Sequence, residues 1–139
     1  MTGKTKILIV EDEMPVAMMM VFLLHRAGCE VETATNAEQA VRLVQAADFD
    51  LITLDIDLPV GNGFEIFARL KKLSRWQNTP VVFVSGNSTI ENQQLALDLG
   101  AADFIEKPFE VSDFTSRILA HVTPKEFFAN HATTGGATA

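Results

Sequence analysis

The chain has 139 residues, 47% of them apolar, with a formal charge of −7 and a pI near 4.8. That length fits one domain with a real core, and that acidity excludes nucleic-acid binding by the chain's own electrostatics. Cys29 is the only cysteine, which excludes an intrachain disulfide and fits a reducing, cytoplasmic setting.

Met1 to Lys6 runs straight into a short apolar segment, without the long hydrophobic region of a signal peptide. The first strand is predicted near 6–11 and ends on three acids, Glu11, Asp12 and Glu13. A helix follows near 14–27. Its stretch from Met14 to Leu24 is the longest apolar run, stopped by His25 and Arg26. It falls short of the ~18 residues a membrane span needs, so no membrane contact is expected. A strand near 30–34 leads to a helix near 37–47, where Asn36 and Gln39 have capping-box spacing. The third strand, near 50–54, closes on Asp55. Gly61 and Gly63 then precede a helix near 63–74. Pro80 opens a strand near 80–84 that closes on Ser85. Ser88, with Glu91 three residues on, is the predicted cap of a helix near 88–99. The fifth strand, near 102–106, closes on Lys107-Pro108, and a helix near 110–122 follows. A domain over 1–122 is expected, with a tail over 123–139. Thr123-Pro124-Lys125-Glu126 predicts a short sixth helix over 124–131. The Gly/Thr/Ala-rich stretch from Thr133 to Ala139 is expected to be disordered.

Mostly apolar strands without clean alternation suit a sheet covered on both faces. Five β-α units predict an α/β fold, a doubly wound parallel sheet of five strands with helices on both faces. The strand order 2-1-3-4-5 is preferred because it brings the ends of strands 1, 3, 4 and 5 together. Asp12, Asp55, Ser85 and Lys107 then emerge at the carboxyl edge, where open α/β sheets bind ligands.

The chemistry of that edge points to phosphoryl transfer. A helix N-terminus favours negative charge, which accounts for one or two of Glu11, Asp12 and Glu13. Three acids suit an oxygen-ligand site for Mg²⁺. They disfavour a nucleotide cradle, where glycine or hydroxyl groups are expected. Asp55 closes the mostly apolar run Leu51-Ile52-Thr53-Leu54, and a buried carboxylate is costly unless paired or metal-bound. As a nucleophile it would attack phosphorus and form an acyl phosphate. Lys107 would neutralise one phosphoryl oxygen and the Ser85 hydroxyl would hydrogen-bond another. Positioning and charge neutralisation are most of what phosphoryl transfer requires. The Lys107–Pro108 bond is a candidate for a cis peptide.

Over residues 5 to 122 the chain resembles the receiver domain of two-component response regulators. The residues that carry the resemblance are Glu11-Asp12, Leu54-Asp55 with Leu58-Pro59 and Gly61-Asn62-Gly63, Val84-Ser85-Gly86, and Ala101-Ala102-Asp103-Phe104 leading to Lys107-Pro108-Phe109. The spacings from Asp12 to Asp55, Ser85 and Lys107 are 43, then 30, then 22 residues. The resemblance implies a flavodoxin-like fold in which Asp55 is the phosphoacceptor. Glu11 and Asp12 would hold Mg²⁺ together with Asp55 and the backbone carbonyl of Asp57. Ser85 and Phe104 would be the switch pair and Lys107 the phosphoryl clamp. A histidine kinase or histidine phosphotransfer protein would be the donor, and the shifted face of the fourth helix, fifth strand and fifth helix would meet a downstream protein. The chain would catalyse its own phosphorylation and dephosphorylation, without a separate small-molecule substrate. Two residues depart from the commonest pattern. Serine stands for threonine at Ser85, and phenylalanine for tyrosine at Phe104, so an outward ring has no hydroxyl to offer.

Asp55-Ile56-Asp57 after an apolar strand also resembles the haloacid dehalogenase phosphatases, with Asp57 as acid/base. That family usually places the motif earlier and needs a further acidic strand end after the lysine, which this sequence lacks. The first helix holds a second expectation. Val16, Met20, Leu23, Leu24 and Ala27 are predicted to face the core, leaving Met14, Met18, Val21 and His25 outside with Phe22 on their flank. So apolar an outer side predicts cover by a phosphodonor, a second copy of the chain, or the tail. His25, far along the helix from Asp55, reads as a C-terminal residue favoured by the helix dipole.

Overall fold

The computed structural model describes residues 3–122. The helix expected over 124–131 and the disorder expected beyond it lie outside the described residues. In chain order the elements are β1 (Lys6–Val10), α1 (Met14–Arg26), β2 (Glu30–Ala34), α2 (Ala37–Ala46), β3 (Leu51–Leu54), α3 (Gly63–Lys71), β4 (Val81–Ser85), α4 (Ile90–Asp98), β5 (Asp103–Glu106) and α5 (Val111–Ala120). A short 3-10 helix, Ser74–Trp76, stands between α3 and β4. The strands form one parallel sheet in the order β2-β1-β3-β4-β5, the order the sequence predicts.

The period-two alternation of a strand assigns its residues to two faces. Ile7 and Ile9 pack with Met20 and Leu24 of α1 and with Phe114 and Ile118 of α5. Leu8 and Val10 pack on the other side with Val44 of α2, Phe67 and Leu70 of α3, and Ala96 of α4. Both faces being covered explains why the strands read as unbroken apolar runs. The register then aligns the ends. Val10 pairs with Leu54, Leu54 with Phe83, and Phe83 with Phe104. Glu11, Asp12, Asp55, Ser85 and Lys107 all follow shortly after that row.

Helix ends depart from expectation where side chains found better partners. The Asn36 side chain accepts the Gln39 N–H at 2.8 Å, but Gln39 Oε1 accepts from the Thr35 N–H rather than from Asn36. A complete capping box forms instead at α3, between Asn62 and Glu65. Thr89, not Ser88, caps α4 by accepting the Asn92 N–H at 3.1 Å. Ser88 is drawn away, its hydroxyl donating to Glu106 at 2.6 Å. α3 stops at Lys71, where the ammonium turns to the Gln77 and Thr79 carbonyls at 3.1 and 3.2 Å. α1 stops at Arg26, and Gly28 reverses the chain at a φ of +94°, which favours glycine. Ala27, expected in the core, is therefore exposed, and Ala17 takes a core place. Val21, expected outside, is half-buried against the α1/α5 core. Met14, Met18, Met19 and Phe22 are exposed.

The start of β5 is tied to the end of α5 by charge. Asp103 accepts from Arg117 Nε at 3.1 Å, lies 3.1 Å from His121 Nε2, and accepts the Phe104 N–H at 2.8 Å. Burial works against the Asp103 charge, but the hydrogen bonds from Arg117, His121 and the Phe104 N–H outweigh it and hold the carboxyl below its ordinary range. A carboxyl with a depressed folded pKa binds its proton more readily when unfolded. Its contribution to stability is thus complete above the ordinary carboxylate range and is lost as pH falls through the folded value. Denaturant midpoints measured downward from pH 6 should fall more steeply through the acid range in the parent than in Asp103→Asn. Parallel acid limbs would show that the cluster contributes nothing.

Candidate functional site

Period-two parity also decides which side chains meet. Glu11 continues the face of Ile9, Asp55 that of Leu51, and Lys107 that of Ile105, all on the α1/α5 side. The Lys107 ammonium lies 3.0 Å from Asp55 Oδ2, 3.0 Å from Glu11 Oε1 and 2.9 Å from Glu13 Oε1. The Lys107–Pro108 peptide is cis. Glu11 and Asp55 are buried while Glu13 is exposed. Burial alone would lower the lysine, but hydrogen bonds to Glu13, Glu11 and Asp55 carry it well above its ordinary value. Burial pushes Glu11 up, only partly offset by the hydrogen bonds from Lys107 and the Glu13 N–H. Three carboxylates thus share one ammonium.

Glu11, Asp12 and Asp55 each offer a carboxylate oxygen, and these oxygens lie within 4.8 Å of one another. An all-oxygen, anionic donor set of that kind fits a hard divalent cation. Asp12 and Asp55 open into a cleft of about 530 Å³ whose walls include Glu13, Val16, Met19, Asp57, Lys107 and Phe109, with Glu11 buried behind it. The backbone around Asp55 is held closely. Its Oδ1 accepts the Asp57 N–H at 3.2 Å. A Cβ on Gly63 would lie 2.3 Å from the Asp55 carbonyl oxygen, so the start of α3 can press against this strand end only with glycine there.

Ser85 and Phe104 belong to the opposite face. Phe104 is buried, stacked on Phe83 with centroids 6.2 Å apart and planes 11° apart. Ser85 is fully buried, and its Oγ accepts the Asn87 N–H at 3.1 Å. All the residues expected at the site thus gather at one sheet edge, with Phe104 set back inside. Sequence reasoning missed Glu13 as a partner of Lys107, because a third acid is explained by the helix N-terminus alone. It also missed Asn87, whose amide donates to Asp57 Oδ1 at 3.3 Å. No sequence signal pointed to that residue.

Residues 7–119 match the response regulator receiver domain family, and the chain belongs to that family. The haloacid dehalogenase reading is set aside by that match. The chain is similar to the transcriptional regulatory protein TcrA of Mycobacterium tuberculosis, 34% identical over 83% of this chain and 45% of TcrA. It is likewise similar to the phosphate regulon transcriptional regulatory protein PhoB of Escherichia coli, 36% identical over 83% of this chain and 50% of PhoB. It spans about half the length of the curated relatives it matches. Among solved structures it is similar to the non-phosphorylated HemR receiver domain of Leptospira biflexa, with a TM-score of 0.80 and 31% identity over 86% of this chain and 95% of that one. The chemotaxis protein CheY4 of Vibrio cholerae superposes with a TM-score of 0.81 and 29% identity over 86% of this chain and 100% of that one.

Removing the ammonium leaves Glu11 and Asp55 buried without their counter-charge, and breaking a buried pair in this way costs about 3–5 kcal/mol. Lys107→Ala should lower the unfolding free energy by a few kcal/mol in chelator, measured by urea titration. Added Mg²⁺ should raise the midpoint more in the variant than in the parent. A variant as stable as the parent in chelator would mean that the cluster is not held by charge.

Proposed function

We propose that residues 1–122 form a phosphoacceptor unit that takes a phosphoryl group onto Asp55 from a phosphohistidine donor. The reading rests on one observation: the buried Asp55 carboxylate, at the floor of a cleft, lies 3.0 Å from the Lys107 ammonium and has an oxygen within 4.8 Å of oxygens of Glu11 and Asp12. One Asp55 oxygen forms a bond to phosphorus. The P–N bond to the donor imidazole breaks, and its electron pair stays with the nitrogen. Asp55 becomes an acyl phosphate. Glu11, Asp12, the Asp55 carboxylate and the Asp57 backbone carbonyl are the proposed holders of Mg²⁺. When bound, the cation neutralises charge that develops on the phosphoryl oxygens. Lys107 pairs with one such oxygen and the Ser85 hydroxyl donates to another. Ser85 and Phe104 then move together, which changes the surface of α4, β5 and α5 that a downstream protein reads. The proposed donor is a histidine kinase or histidine phosphotransfer protein. The proposed output is a protein contact and not a small-molecule reaction.

Asp55→Asn tests the acceptor. An amide cannot form the acyl phosphate, so labelling by acetyl phosphate in Mg²⁺ should vanish while the fold persists. Labelling at the parent level in that variant would place the nucleophile elsewhere.

The donor must bring its histidine into the cleft, and α1 forms one wall through Val16 and Met19. Met14, Met18 and Phe22 of the same helix are exposed and line a separate apolar groove with Val21 and Thr33, and this surface is the proposed docking contact. Truncating a central interface side chain commonly costs ~1–3 kcal/mol, or roughly a tenfold to hundredfold loss of affinity. Met18→Asp should therefore slow transfer from a phosphorylated histidine donor by about that factor while sparing acetyl phosphate, which needs no docking. Equal slowing with both donors would mean damage to the site, and no slowing with either would remove α1 from the contact.

A further inference from the structure

A lysine ammonium has three N–H donors, and Lys107 uses all of them on carboxylates. Glu13 Oε1 lies at 2.9 Å, Glu11 Oε1 at 3.0 Å and Asp55 Oδ2 at 3.0 Å. A phosphoryl oxygen arriving at Asp55 finds no free donor on this ammonium until one carboxylate yields. The three do not yield equally. The Glu11 and Asp55 side chains are 1% and 5% exposed, and that of Glu13 is 61% exposed. A buried carboxylate that loses its partner stays desolvated, whereas Glu13 returns to water. Glu13 is the N-cap residue of α1, and its side chain makes no capping bond there. It reaches to Lys107 instead, while its own N–H donates to Glu11 Oε2 at 3.1 Å.

Resting on the phosphoacceptor reading above, we propose that Glu13 is a holding ligand for Lys107: a positioning residue that grips the ammonium in the resting state and releases it when a phosphoryl group reaches Asp55. With acetyl phosphate, an Asp55 oxygen bonds to phosphorus, the P–O bond to the acetyl group breaks, and acetate leaves with the electron pair. Lys107 neither gains nor loses a proton. One of its N–H groups passes from Glu13 to a phosphoryl oxygen. The grip on Glu13 is thus part of the cost of each transfer.

The experiment is a double-mutant cycle on the full chain, with initial labelling rates by acetyl phosphate in Mg²⁺ for the parent, Glu13→Gln, Lys107→Ala and the double variant. Glu13→Gln keeps the side-chain length and loses the charge. It should label about threefold to fivefold faster than the parent, the scale of one half-exposed ion pair. That gain should disappear in the Lys107→Ala background, a dependence that a merely structural role for Glu13 would not produce. Equal acceleration with and without Lys107 would reduce the effect to repulsion of an anionic donor and overturn the proposal. An unchanged or slower Glu13→Gln rate would overturn it too. Labelling of Asp55→Asn at the parent rate is the separate result that removes the phosphoacceptor reading itself.

Discussion

The site depends on one ammonium held among carboxylates at the end of a sheet. Lys107 and Glu11 lie 96 residues apart in sequence and 3.0 Å apart in space. Lys107 follows the outermost strand of this edge, Glu11 an inner one, and Asp55 the strand between β1 and β4. The contact exists only if β1, β3 and β5 are parallel, in register and of the right parity. A one-residue slip in any of them would turn a charged group to the opposite face. The apolar layers therefore do more than stabilise. They fix which polar groups can meet.

The same parity divides the chemistry in two. Glu11, Asp55 and Lys107 lie toward α1 and α5, whereas Ser85 and Phe104 lie with Phe83 toward α4. Ser85 is the junction, because its hydroxyl is at the edge and its loop leads to α4. That loop is fastened by side chains more than by apolar packing. Ser88 donates to Glu106, the Asn92 amide donates to the Asn87 carbonyl at 3.1 Å, and the Gln93 amide donates to the Ser88 carbonyl at 2.7 Å. Of α4 itself only Ala96 is buried. An element with few buried apolar contacts opens at low cost. Of the five α-helices α4 has the fewest buried side chains.

Much of this was legible in the sequence, for definite reasons. Strand ends carried Asp55, Ser85 and Lys107 directly after apolar runs, so position along the strand was enough to gather them once the order β2-β1-β3-β4-β5 was chosen. Helix ends were harder, because several side chains compete for the same N–H groups. Ser88 and Thr89 are both good caps, and Glu106, distant in sequence, took Ser88. In α1 the helical period predicted Met20, Leu23 and Leu24 correctly, but Ala27 failed because Gly28 ended the helix first. Glu13 was hidden by an adequate local explanation. Only three-dimensional proximity to Lys107 revealed its other use.

The central claim is that a phosphoryl group resides on Asp55. Locating it chemically is the most direct test. The chain is labelled with acetyl phosphate in Mg²⁺ and reduced with borohydride, which converts an aspartyl phosphate to homoserine. Peptide mass mapping then finds the converted residue. The account predicts homoserine at Asp55 and at no other carboxylate. Conversion at Asp12, Asp57 or another acid with Asp55 intact, or a stable phosphate on Ser85, would contradict it.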